Sequence, residues 1–174
     1  MSKRERGSSG RAIVAFVTLF AATGAGSEPL PLARRDAAAI DLARAGAVHR
    51  LQAEECQKVL TDFVDARGRP LREDLEKRRL SVADYLRTIA FVDGSSNPVC
   101  RTSKVLLITA VGARSVGVCP SDRYSGVSRF SQIQRQNPSF AEFTVIHEML
   151  HTLGLGENPP SSAEITARVE SRCR

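Results

Sequence analysis

The chain has 174 residues, with 25 Lys and Arg against 19 Asp and Glu, seven Phe, two Tyr and no Trp. Length leaves room for about one domain, and the scarcity of aromatics means that its core must be aliphatic. The formal charge of +6 suggests nucleic acid at first sight, but its distribution along the chain excludes that reading.

Residues 1–11 carry Lys3, Arg4, Arg6 and Arg11 against Glu5, and Ala12 to Ala22 is an apolar run. Small residues follow, Thr23-Gly24-Ala25-Gly26-Ser27. These are the three regions of a secretory signal peptide, with cleavage expected after Ala25. The run is short for a bilayer, so an uncleaved anchor is the lesser alternative and no stable membrane insertion is expected after cleavage. Removing residues 1–25 takes away four basic residues and one acidic residue, leaving 21 − 18 = +3. What remains lies in mixed runs such as Arg72-Glu73-Asp74-Leu75-Glu76-Lys77-Arg78-Arg79. Such runs make a solvated face rather than a nucleic-acid stripe. The predicted address is exported, periplasmic or extracellular.

Residues 26–35 contain Pro29 and Pro31 and read as a flexible leader. A single domain is predicted over 36–174. Val48, Leu51, Cys56, Val59, Leu60 and Phe63 follow helical spacing, so Ala37 to Ala66 reads as helix, with Gly46 as a candidate break. His49 in this stretch reads as a surface residue. Gly68 and Pro70 stop the helix, and Leu71 to Leu80 forms a short charged one. Ser81-x-x-Asp84 caps the next helix.

Ile89 to Val92 reads as extended before the turn signal Asp93-Gly94, and Ser95 to Arg101 as loop. Lys104 to Val111 and Ser115 to Cys119 read as two strands of a hairpin. Pro120 to Gln136 is polar and reads as a loop, in which Tyr124 is a candidate oxyanion donor but more simply a surface tyrosine. Cys56, Cys100, Cys119 and Cys173 are an even set in an exported chain. Cys100 and Cys119 flank the hairpin and are paired here, which leaves Cys56 with Cys173.

Asn137 is a good N-cap, Pro138 suits the first helical turn, and Phe143, Ile146, Leu150 and Leu153 form one apolar stripe. Gly154 then ends this helix. Within it lies His147-Glu148-Met149-Leu150-His151. Residues four apart stand one turn above each other, so both imidazoles can grip one metal ion. Glu148 projects about 100° round the helix from His147. It stands beside the ion, where a general base takes a proton from water.

His147, Glu148, His151, Gly154 and Glu157 resemble the metzincin pattern H-E-x-x-H-x-x-G-x-x-H, as does the local text His-Thr-Leu-Gly-Leu. Glu157 stands where that family carries His or sometimes Asp, and the only methionines are Met1 and Met149, so there is no Met-turn. Gly-Leu-Gly-Glu-Asn-Pro-Pro-Ser-Ser, with a short helix and Arg-Cys after it, also looks like small secreted bacterial zincin-like proteins. The resemblance implies an α+β zincin-like fold, with a small antiparallel sheet packed with helices and the motif on a central helix. It also implies that the sheet's edge strand binds extended substrate. Its glycine turn implies Glu157 as third ligand. A gluzincin-like arrangement offers Glu170 or Glu164 instead, although Ser161-x-x-Glu164 also reads as a capping box.

The expectation is a secreted zinc-dependent hydrolase acting on a peptide or protein. One Zn²⁺ would be held by His147, His151 and Glu157, with Glu148 as general base. The alternative is a non-catalytic exported binding or inhibitor module with a structural metal site. Oligomeric state is not legible in the sequence.

Overall fold

Residues 31–102, 105–120 and 128–174 are described by the computed structural model. The signal segment and Tyr124 lie outside these residues. Ala39, Ile40, Ala43, Ala47 and Val48 make the buried stripe of α1 (Arg34–Arg50). Arg34 and Arg35 are thus helical and do not belong to the leader. The helix runs through Gly46; the break comes at Leu51–Ala53, followed by the single turns α2 (Glu54–Gln57) and α3 (Val59–Asp62). The charged helix α4 (Leu71–Arg78) buries Leu71 and Leu75. Next comes α5 (Val82–Thr88), where the Ser81 hydroxyl accepts from the Asp84 amide.

The sheet is small and mixed rather than antiparallel. β1 (Ala90–Asp93) pairs in parallel with β3 (Ser115–Val118), from Ala90 opposite Ser115 to Asp93 opposite Val118. β2 (Leu107–Ile108) pairs antiparallel with β3, and the order is β1-β3-β2. The predicted hairpin is therefore present, with a shorter first strand. The extended Ile89 to Val92 segment reaches the far side of β3 by a crossover, as a parallel pair requires. Two segments read as loop are in part helical: α6 (Pro98–Thr102) and α7 (Arg129–Gln136). In α7, Phe130 is fully buried and Ile133 packs on the core, while Ser128 caps the first turn. Asp36 accepts from both the amide and the hydroxyl of Ser128 and from Ser131, which fixes the start of α7 to the start of α1.

The motif helix is α8 (Pro138–Thr152). The Asn137 side chain caps it by accepting from the Phe140 amide, and Pro138 occupies its first turn. Phe143, Val145, Ile146, Met149 and Leu150 are all buried, so the helix is covered on most of its circumference rather than along one stripe. Its neighbours are α1, α7, β2 and α9 (Ser162–Arg172). Both predicted disulfides are present. Cys56–Cys173 ties α2 to the end of α9 across 117 residues, and Cys100–Cys119 spans 19. In the chain-entropy picture these closures contribute about 5 and about 3 kcal/mol. No helix among the described residues is long and apolar enough to cross a membrane.

The packing of α1 on α8 turns on Gly46. A Cβ there would overlap the Glu142 carboxylate. That carboxylate is held by Arg50, which also donates to the Cys173 carbonyl and to Ser139 at 3.0 Å and lies 4.6 Å over the Phe143 ring. Alanine gains about 1 kcal/mol over glycine in helix propensity. A charged hydrogen bond of this kind is worth about 1.5–3 kcal/mol. The loss wins, so Gly46→Ala should destabilise by about 0.5–2 kcal/mol on these figures. Urea unfolding checks this, and a midpoint at or above wild type would refute the close approach.

Candidate metal centre

The last turn of α8 and the loop after it build the centre. Gly154 adopts φ +103°, a conformation open chiefly to glycine. The Gly154 amide donates to the His151 carbonyl at 3.0 Å, and the Leu155 amide to the Leu150 carbonyl at 3.1 Å. This is a Schellman ending, sealed by the burial of Leu150 and Leu155. It turns the chain back towards the helix that it has just left and so returns Glu157 to the histidines.

Glu157 Oε1 lies 3.3 Å from His151 Nε2 and 3.7 Å from His147 Nε2, and the two Nε2 atoms are 3.0 Å apart. One donor atom from each of the three residues lies within 4.8 Å of the others. The predicted trio is thus brought together and could hold a metal ion. The other acidic candidates stand apart from it. Glu164 accepts from Ser161 in the capping box that opens α9, and Glu170 lies outside the group. His49 is exposed on α1, as expected.

Each imidazole is oriented from behind. His151 Nδ1 donates to the Leu155 carbonyl at 2.8 Å, and His147 Nδ1 meets the Thr166 hydroxyl at 3.0 Å. The Nε2 atoms are thereby turned towards one point, an arrangement that metal-binding histidines require of their surroundings. Burial, and then the neighbouring His151, push the pKa of His147 down to about 4, against the pull of Glu157. A neutral ring is the form that ligates. Two neutral imidazoles and one carboxylate are a donor set that fits zinc.

Glu148 is not one of the three. It is buried, and burial raises its pKa; the adjacent Thr109 hydroxyl and His151 oppose the rise, while Glu157 adds to it. Both glutamates and both histidines line a cleft of about 530 Å³. Its opposite wall is the continuous stretch Val105 to Thr109, which includes β2 at the sheet edge. The Gly112 amide donates to the His151 carbonyl at 2.9 Å, which latches this hairpin to the end of the motif helix. Sequence reasoning missed Thr109, Leu155 and Thr166. The first two carry no local signal of a role, and Thr166 comes into play only because α9 returns across α8. Comparison with protein-family models, with curated proteins and with solved structures finds no match to this chain.

Gly154→Ala tests the turn. The φ of +103° and a contact of 3.3 Å between the new Cβ and Asp65 both oppose the side chain. Strain of this kind costs about 1–3 kcal/mol, and relieving it moves Glu157 away. The variant should unfold at lower urea and bind Co²⁺, used as an absorbing probe, more weakly than wild type. Unchanged Co²⁺ binding would show that the turn does not place the third ligand.

Proposed function

We propose that the protein is an exported, zinc-dependent hydrolase of zincin-like type, and that it acts on peptide bonds. The observation that carries the reading is the division of labour between the two glutamates. Glu157 closes on the two histidines, whereas Glu148, one residue from His147, is buried beside them and faces the same cleft.

His147, His151 and Glu157 would hold the ion. Zinc bound there supplies Lewis acidity towards a carbonyl and acidifies water. Glu148 takes a proton from the attacking water and returns it to the leaving amine, work for which a carboxylate of raised pKa is suited. An extended peptide fits along the β2 edge, whose backbone borders the cleft. Three donors opening into a cleft favour catalysis over a closed structural site, which takes four protein ligands. Two disulfides belong with an oxidising, exported environment.

Zinc titration and digestion of a peptide library, run side by side, test this function. Glu148→Gln should keep zinc and fold yet lose at least about 100-fold in hydrolysis, because an amide cannot take the proton. Glu157→Ala should lose zinc affinity, and Glu170→Ala should leave it intact. Unchanged hydrolysis in Glu148→Gln would remove the mechanism. Loss of zinc in Glu170→Ala with retention in Glu157→Ala would reverse the ligand assignment.

A further inference from the structure

The cleft runs on past the metal trio, and its far part has a different chemistry. Phe140, Thr144, His147 and His151 are spaced four, three and four apart on α8, which puts them on one face. All four line the cleft. Phe140 and Thr144 are half-buried there, although Phe143, Val145 and Ile146 around them are buried. Phe140 stands two turns, about 10 Å, before His147. An extended peptide covers that distance in about three residues.

This end is apolar. The Thr144 hydroxyl donates to the Phe140 carbonyl at 2.8 Å and has no further hydrogen to donate. Val99 and Val105 line the same cleft. Cys100, beside Val99, is bonded to Cys119, whose amide donates to the Leu106 carbonyl at 3.0 Å, so Val99 is fixed next to the start of the β2 wall. The other end of that wall, past Val111, is the one latched to His151 through Gly112. Val99 is 44% exposed and Val111 54%. The other exposed large hydrophobics among the described residues, Leu42 and Val64, do not line the cleft. Among the described residues that do, there is no Lys or Arg, and the only carboxylates are Glu148 and Glu157. Apolar side chains left exposed together along a groove mark a surface that a ligand covers. A charged side chain laid at the Phe140 end would lose water and gain no counter-ion.

We propose that the cleft selects an extended peptide by an uncharged, apolar side chain about three residues to one side of the bond cut at the centre, and that Phe140 is the specificity-determining residue. Its ring offers the largest apolar area at this end. The inference deepens the hydrolase reading above and rests on it.

The disulfide-bonded, zinc-loaded protein is given a random peptide library, and the products are sequenced by mass spectrometry. Cleaved peptides should be enriched in Leu, Ile, Val or Phe, and depleted in Lys, Arg, Asp and Glu, about three residues to one side of the cut. Two matched peptides with Leu or Lys at the enriched position should differ about 10-fold or more in kcat/KM, the discrimination of an apolar subsite. Phe140→Ala should bring that ratio close to one, and Phe140→Glu should turn it towards the Lys peptide. Leu42→Ala, which removes an exposed hydrophobic outside the cleft, should keep the wild-type ratio. Cleavage with no side-chain preference away from the bond overturns the proposal, whatever the variants do. So does a folded Phe140→Ala with an unchanged ratio. If no peptide is cut, the hydrolase fails, and fluorescence anisotropy of the two labelled peptides decides the rest. Tighter binding of the Leu peptide that Phe140→Ala abolishes upholds selection by the cleft; equal binding, or none, overturns it.

Discussion

A helix that is buried on most sides and yet carries two histidines and a glutamate is the constraint on which the rest of this structure depends. Buried polar groups need partners, and leaving one unmade costs about 1–3 kcal/mol. His147, Glu148 and His151 are all less than a tenth exposed. The imidazoles are provided for accordingly: the Leu155 carbonyl stands behind His151 and the Thr166 hydroxyl behind His147. The cleft opens on the one side where Glu157 and the edge of the sheet leave room.

The fold reads as a set of supports for that helix. Gly46 lets α1 approach closely enough for Arg50 to bind Glu142, and Asp36 pins α7 to the same α1. Cys56–Cys173 holds the far end of α9, so that the helix bearing Thr166 cannot drift from the histidine it faces. Gly112 joins the β2–β3 hairpin to the carbonyl of His151 itself. Ligand, ligand support and cleft wall therefore meet at one helix end. This explains how a three-stranded sheet and short helices suffice to build a centre of this kind.

The carboxylates illustrate how position divides roles among like groups. Glu164 is consumed by its capping box, Glu142 by Arg50, and Glu157 lies against both Nε2 atoms. Glu148 is buried beside the histidines and lines the same cleft, and burial raises its pKa. One side-chain type thus supplies a helix cap, an ion-pair partner, a candidate ligand and a candidate base.

The sequence by itself determined whatever depends on neighbours within a few residues. The Asn137 cap, the i, i+4 histidines, the Gly154 turn and the return of Glu157 are all local, because helix periodicity and glycine stereochemistry act over one or two turns. The two disulfides were legible as well, one from the hairpin it flanks and the other by remainder. The tertiary structure decided the rest. Whether Gly46 breaks a helix or seats one depends on Glu142, far along the chain. The polar run at Arg129–Gln136 becomes helical around Phe130 because α1 and α8 offer that ring a core to enter and Asp36 binds its cap. β1 takes its parallel place because a crossover carries the chain to the opposite edge of β3. Thr166, a plain helix threonine in the sequence, meets His147 only when α9 folds back, since side chains nineteen residues apart have no fixed relation until packing gives them one.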